Sequence, residues 1–419
     1  MKLRIEKLVY GGDGLGHSEG RAVFVPFVLP GELVTARIAR ANRKVVHAQP
    51  QALLEASPER IEAHCPYFAR CGGCHYQHLD YERQVAAKVE ILRETLRHIG
   101  KIEPGAPIVP HPSPPWEYRN RAQFQLARPQ SGHLEVGYFR AGSHALCAVN
   151  TCPILSPKLQ TVLSALNRAA AAGRLPEAVR QVEAFTDDRD DSFLLSFAGP
   201  GLSAPAEALG SQFTSELAGL CSLARLDTAS EAREVAGAGC LNYRVGDHTY
   251  RVSHDSFFQI NRFLIAEMVS VATAELRGEH ALELYAGVGL FSLPLGKRFG
   301  GVTAVESGPA ALEDLHANAA TLPGVQLVGA KVEEFLSQLR EPVDAVLLDP
   351  PRAGAGADVV RELVRVRPRQ IVYVSCDPAT LARDLRFLTA AGFRLEEIHF
   401  FDVFPQAFHL ETIVRLGLA

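Results

Sequence analysis

Eight cysteines occur in this chain of 419 residues, and five of them sit where a thiol could do chemistry. Cys376 ends the apolar run QIVYVSC and is followed by Asp-Pro, a pair that turns the chain. Its sulfur is therefore expected at the tip of a buried strand, where a thiolate is a nucleophile. Cys65, Cys71 and Cys74 form C-x5-C-x2-C around Gly72 and Gly73, and Cys152 follows at a distance with a proline after it. Thiols at this density favour a soft metal centre, zinc or an iron–sulfur cluster. The run is not the paired C-x2-C knuckle of structural zinc, so a [4Fe-4S] cluster is expected ahead of zinc. Cys147 competes with Cys152 as fourth ligand, and the proline beside Cys152 decides between them. Cys221 and Cys240 lie among apolar or small residues and read as structural.

A second constellation looks like a cofactor site. ELYAGVGLFS puts Tyr285, Gly287 and Gly289 straight after a strand, and Glu306 closes the next strand, VTAVE. A carboxylate there can accept hydrogen bonds from both hydroxyls of a ribose. Phe291 and Ser292 stand where a dinucleotide fold needs a third glycine for its pyrophosphate. The loop therefore fits S-adenosylmethionine, which has no phosphate to hold. Asp349 ends a further strand in LLDPPRAG, and the prolines behind it stiffen that edge between donor and acceptor.

These residues need a parallel sheet to bring them together. From about residue 252 strands alternate with helices, which implies an α/β, Rossmann-like domain over 252–419 with ligands at the carboxyl ends of its strands. Residues 1–57 read instead as short strands with glycine turns, a small OB-like β-barrel similar to a TRAM domain, which binds RNA. Residues 58–251 mix strands and helices in a central α+β domain that carries the four cysteines. Within it a helix of about five turns is expected from Leu79.

Composition narrows the setting. The chain is 47% hydrophobic and 21% charged, with no apolar stretch of membrane-spanning length. Its start alternates and carries charges where a secretory leader would be continuously apolar, so a cytoplasmic protein with reduced thiols is expected. The net charge of -4 offers no global signal for a polyanion. Residues 1–60 hold nine Lys/Arg against six Asp/Glu, a local patch that could meet one.

Taken in order, the cysteine pattern, SFFQIN at 256–261, ELYAGVG, LLDPPRAG, YVSCDPATLARD and FPQAFHLETIVRL resemble the RNA uracil-5-methyltransferases over nearly the whole chain. The barrel makes the chain most similar to the branch acting on 23S ribosomal RNA rather than to a tRNA branch lacking it. The resemblance implies Cys376 as nucleophile and Glu411 as base. It implies Gln259, Tyr285, Glu306 and Asp349 as donor-binding residues, and Cys65, Cys71, Cys74 and Cys152 as ligands of a [4Fe-4S] cluster. Where the family usually has threonine after Pro-Gln, this chain has Ala407. Such chemistry requires a flipped-out nucleotide, for which EYRNRAQFQ offers Arg119 and Arg121, the latter matching a family arginine. A monomer working on RNA, without a membrane, is the expected setting.

Overall fold

Alternation of apolar and polar residues sets the first module. In the computed structural model, which describes residues 1–128, 132–214 and 217–418, strands Lys2–Leu8, Asp13–Ser18, Arg21–Pro26, Leu33–Ala41 and Val45–Glu55 close into a barrel. Leu3, Ile5, Val23, Val25, Val34 and Val46 fill it, while Arg37 and Arg40 face solvent. Closure leaves no strand edge to pair with another chain. Where the chain leaves the barrel, the fully buried Glu32 accepts hydrogen bonds from Leu29 N (2.8 Å), Ser57 N (3.3 Å) and Arg60 Nε (2.5 Å).

The middle of the chain builds a seven-stranded sheet in the spatial order Arg233–Gly237, Leu220–Asp227, Phe193–Gly199, Gln181–Thr186, Arg121–Ala127, Glu135–Phe139, Leu146–Ala148. Helix Pro157–Ala171 packs on it because Leu159, Val162, Leu163, Leu166 and Ala170 recur at helical spacing and are buried. Its start is fixed by Ser156, whose hydroxyl accepts from Leu159 N.

The last sheet has eight strands. Five run parallel in the order Val325–Gly329, Gly301–Glu306, His280–Leu284, Ala345–Leu348, Gln370–Ser375. Glu411–Leu418 then joins antiparallel, followed by Phe393–Phe401. Runs such as AVLL are wholly buried, as strands covered on both faces must be. The order reverses between His280–Leu284 and Ala345–Leu348, and at such a switch point the strand ends open a crevice.

Two pieces of the expected middle domain pack elsewhere. The eighth strand of this last sheet is Ile108–His111, parallel to Phe393–Phe401. Helix Tyr81–Thr95, capped by Asp80 and continued by a wider turn over Leu96–Gly100, places Ile91 and Leu92 in one core with Leu284 and Val346. At the other end, a hairpin of Cys240–Val245 and His248–Ser253 shares a core with Val288 and Leu290. The expected boundary at 251/252 thus falls inside a hairpin, because apolar faces at Leu241, Tyr243 and Val252 need the eight-stranded sheet to be buried. Among the described residues no helix is long and apolar enough to cross a membrane.

Candidate active site

Three neighbouring strands deliver the reactive groups to one edge. Ala345–Leu348 ends at Asp349, Gln370–Ser375 ends at Cys376, and the antiparallel Glu411–Leu418 begins at Glu411. Ser375 pairs with Thr412, so one further step along each strand sets Cys376 beside Glu411. Asp377 turns the chain from strand to helix: its Oδ1 accepts from Ala379 N at 3.0 Å and Thr380 N at 2.9 Å, capping Pro378–Ala390. Tyr10 of the barrel donates its hydroxyl to Asp377 Oδ2 at 3.1 Å and meets the Phe408 ring edge-on at 5.5 Å. The barrel therefore touches the turn that carries Cys376 directly.

Burial weighs against ionisation of the acids at this edge. Burial, then the Glu411 and Asp349 carboxylates, push the Cys376 thiol up to about 12, against the opposing charge of exposed Arg352. Burial also raises Asp349, and burial together with Asp349 raises Glu411 well above the carboxylate range. His409 is kept neutral, pushed down to about 3 first by burial and then by Arg352. A carboxyl with a raised proton affinity thus stands next to a thiol. Arg352, the cation at this mouth, directly follows the DPP of LLDPPRAG; the motif contained it, but only the fold places its charge beside the thiol.

The glycine loop forms at the switch point. Tyr285 has φ +62°, with Gly287 at +56° and Gly289 at +89°; these left-handed turns fold the chain back over the strand end. Glu306 closes the loop, its two oxygens accepting from Gly287 N (2.8 Å) and Gly308 N (2.5 Å). Below it the buried Glu283 accepts from the Ser292 hydroxyl and is pushed up to about 8 by burial. Gln259 is buried in the SFFQIN stretch, its carbonyl held by Asn120 Nδ2 at 3.0 Å, while the adjacent Phe258 shares a core with Val288 and Leu290. Phe257, 67% exposed beside it, was not singled out by the sequence reading, since only burial separates it from Phe258.

Arg121 is turned inward. It donates from Nη1 to Ser256 O (2.6 Å), from Nη2 to His254 O (3.0 Å) and from Nε to Glu183 Oε1 (3.0 Å), with its guanidinium over the Phe185 ring. All three nitrogens are engaged, so Arg121 braces the SFFQIN stretch where the sequence reading expects a contact with RNA. Arg119 turns to the cysteines instead, and its buried Nε has no hydrogen-bond partner among the described residues.

The four cysteines expected as ligands share one lining. Cys65, Cys71, Cys74 and Cys152 line one cavity of about 50 Å³ with Tyr138 and Arg119, whereas Cys147 is buried in the strand Leu146–Ala148 and stays outside that lining. The convergence comes from pairing at a distance: Cys71 bridges to Arg140, and Arg119 to Leu155. Cys65 N and Cys152 N are held by the side chains of Gln77 (2.9 Å) and Gln160 (2.8 Å). Burial pushes the Cys71 thiol up to about 11 and Cys74 to about 12. Among the described residues no group of three or more His, Cys, Asp or Glu side chains is placed to hold a metal ion.

A family model for tRNA (uracil-5-)-methyltransferase matches residues 238–418, and one for the TRAM domain matches 1–50. The 23S rRNA (uracil(1939)-C(5))-methyltransferase RlmD of Pseudomonas putida is 34% identical over 98% of this chain and 92% of its own length. An uncharacterized RNA methyltransferase of Thermosynechococcus vestitus is 32% identical over 99% and 97%. Among solved structures, the tRNA (uracil-54, C5)-methyltransferase of Pyrococcus abyssi, in complex with S-adenosyl-L-homocysteine, superposes with a TM-score of 0.79 at 25% identity over 99% of this chain and 100% of its own. That coverage includes the barrel, so the barrel does not separate a ribosomal from a tRNA branch as the sequence reading expects. With the thiol, carboxylates and glycine loop in place and two such relatives spanning almost its full length, the chain belongs to the RNA uracil-C5-methyltransferase family.

Proposed function

We propose that this protein methylates carbon 5 of a uridine in 23S ribosomal RNA. The observation that carries the reading is the delivery of Asp349, Cys376 and Glu411 to one edge by three adjacent strands, next to the glycine loop closed by Glu306. Carbon 5 of uracil is too weak a nucleophile to take a methyl group directly. The Cys376 thiol gives its proton to a neighbouring carboxylate and the resulting thiolate bonds to carbon 6; the carbon 5–carbon 6 double bond breaks, leaving an enolate with a nucleophilic carbon 5. S-adenosylmethionine, when bound, supplies the electrophilic methyl group and a positive charge. Glu411 removes the carbon 5 proton, the carbon 6–sulfur bond breaks, and the thiolate leaves with its electron pair. Tyr285, Gly287, Gly289, Glu306, Gln259 and Asp349 hold the donor. Exposed Phe257 offers a face for a flipped base to stack on, and Arg352 a charge for its phosphate. The 23S target is favoured over tRNA by 34% identity to the ribosomal enzyme against 25% to the tRNA enzyme.

In this reading Cys65, Cys71, Cys74 and Cys152 would hold a [4Fe-4S] cluster, one thiolate per iron; what supports it is that the four line one cavity. Arg119, on the same lining, would offer its buried Nε as a donor to the negative charge of such a group. Net methyl transfer consumes no electrons, so the group would be structural there.

The test is to incubate the protein with S-adenosylmethionine and either 23S fragments or tRNA transcripts and to map 5-methyluridine. Product in the ribosomal fragment, lost in Cys376→Ala, is expected. Full methyl transfer by that variant would sink the covalent route, and product in tRNA alone would move the target. Anaerobic purification is expected to give a brown protein; a colourless one with stoichiometric zinc would exclude the cluster.

A further inference from the structure

The loop joining Phe393–Phe401 to Glu411–Leu418 is gripped by the segment that carries the cysteines. The carbonyl of Gln406 accepts from His75 N at 2.7 Å and Tyr76 N at 3.0 Å, the two residues directly after Cys74. Its side chain and backbone trade hydrogen bonds with Gln84: Gln84 Nε2 donates to Gln406 Oε1 (2.9 Å), and Gln406 N donates to Gln84 Oε1 (3.1 Å). The same Gln84 amide donates to Tyr76 O at 3.1 Å and Leu79 O at 2.8 Å, so one side chain ties both segments. Buried Lys88 adds bonds to Phe404 O (2.9 Å) and Asp402 Oδ1 (2.6 Å). The His75 ring meets Phe408 edge-on at 4.7 Å, and Phe408 lies against His409 at 4.2 Å.

Gln406 is 2% exposed and has φ +68°, a left-handed conformation that a residue with a side chain keeps only when its surroundings enforce it. Those surroundings are His75, Tyr76 and Gln84. We infer that Gln406 is a positioning residue: it transmits the order of the four-cysteine loop to Glu411, so that occupancy of that loop governs removal of the carbon 5 proton and not methyl transfer. The inference rests on the function proposed above. Segment 71–76 is anchored by its thiols, and if they lose their common group, the His75 and Tyr76 amides lose their fixed positions. Gln406 then relaxes, and Glu411, five residues on at the start of its strand, loses its aim. Cys376 and the glycine loop stand on other strands and keep theirs.

Two readouts test this. In Gln84→Leu, which removes the amide, single-turnover methyl transfer should stay within about twofold of wild type, while the denaturation-resistant protein–RNA adduct should persist about tenfold to a hundredfold longer. Gln406→Asn, which tolerates the left-handed backbone but is too short to reach Gln84, should give the same split and serves if the leucine variant does not fold. Independently, Cys74→Ser should speed amide hydrogen exchange in 404–411 and leave 285–292 unchanged. An unchanged adduct lifetime, both steps falling together, or unaltered exchange in 404–411 would overturn the inference while wild-type turnover is normal. Absence of 5-methyluridine from wild type would overturn the function itself.

Discussion

Ser375 and Thr412 are register partners on antiparallel strands, and this one pair decides whether the proposed nucleophile, Cys376, and the proposed base, Glu411, can share a substrate. Side chains alternate faces along a strand, so a slip of one residue would bring Thr412 to the place of Glu411. The register is held from both sides, since Glu411 also pairs with Phe401.

The thiol's surroundings make its reactivity depend on pH in a definite way. Because burial and the two carboxylates push Cys376 up to about 12, its thiolate fraction keeps rising beyond the range of a free cysteine. Iodoacetamide labelling of Cys376, followed by peptide mass spectrometry, should rise about tenfold per pH unit well past an ordinary thiol value of about 8.5. A plateau near that value would show that the carboxylates do not act on the sulfur. Added S-adenosylmethionine brings a positive charge and should raise labelling at fixed pH; uncharged S-adenosylhomocysteine should not.

Glu306 binds two backbone amides with two oxygens. In Glu306→Gln one oxygen becomes an amide nitrogen that cannot accept, leaving a loop N–H without its partner at a cost of about 1–3 kcal/mol. Calorimetry with S-adenosylhomocysteine should find affinity weakened about tenfold to a hundredfold. Unchanged affinity would remove Glu306 from the donor site.

At the barrel exit, burial alone would raise Glu32, but Arg60 and the Leu29 and Ser57 amides outweigh it and hold the carboxyl below its usual range. A depressed carboxylate stabilises the fold above its unfolded value, about 4.3, and that stability is lost as pH falls through the folded value. The urea midpoint should therefore drop on acidification in wild type and flatten in Glu32→Gln. At neutral pH that variant should be about 3 kcal/mol less stable, since Arg60 loses its partner in a buried setting. Parallel midpoint curves for the two proteins would rule the pair out as the source.

Much of the site was readable because each piece is local. QIVYVSC followed by Asp-Pro is a buried strand and a turn wherever it occurs, and Cys376 does sit between strand Gln370–Ser375 and helix Pro378–Ala390. The four cysteines were readable by density, and they line one cavity. What depends on distant pairing was not readable. IVPH is four residues with a proline, too short to announce a strand, and its partner Phe393–Phe401 lies far along the chain. Arg121 is offered to RNA by the sequence because its partners lie far along the chain: two are main-chain oxygens, Ser256 O and His254 O, and one is the Glu183 carboxylate, and no motif displays them. Ala407, where the family usually has threonine, is buried and its N–H goes to Phe404 O at 3.2 Å; the turn closes without a side-chain hydroxyl.

Ile108–His111 finishes the catalytic sheet from a stretch of chain that precedes the whole middle sheet. The protein is consequently stitched rather than strung: its thread enters the methyl-transfer body, leaves to build another, and returns. No single cut frees an intact catalytic module, and any exchange of parts between genes has to carry residues 76–111 along with 240–418.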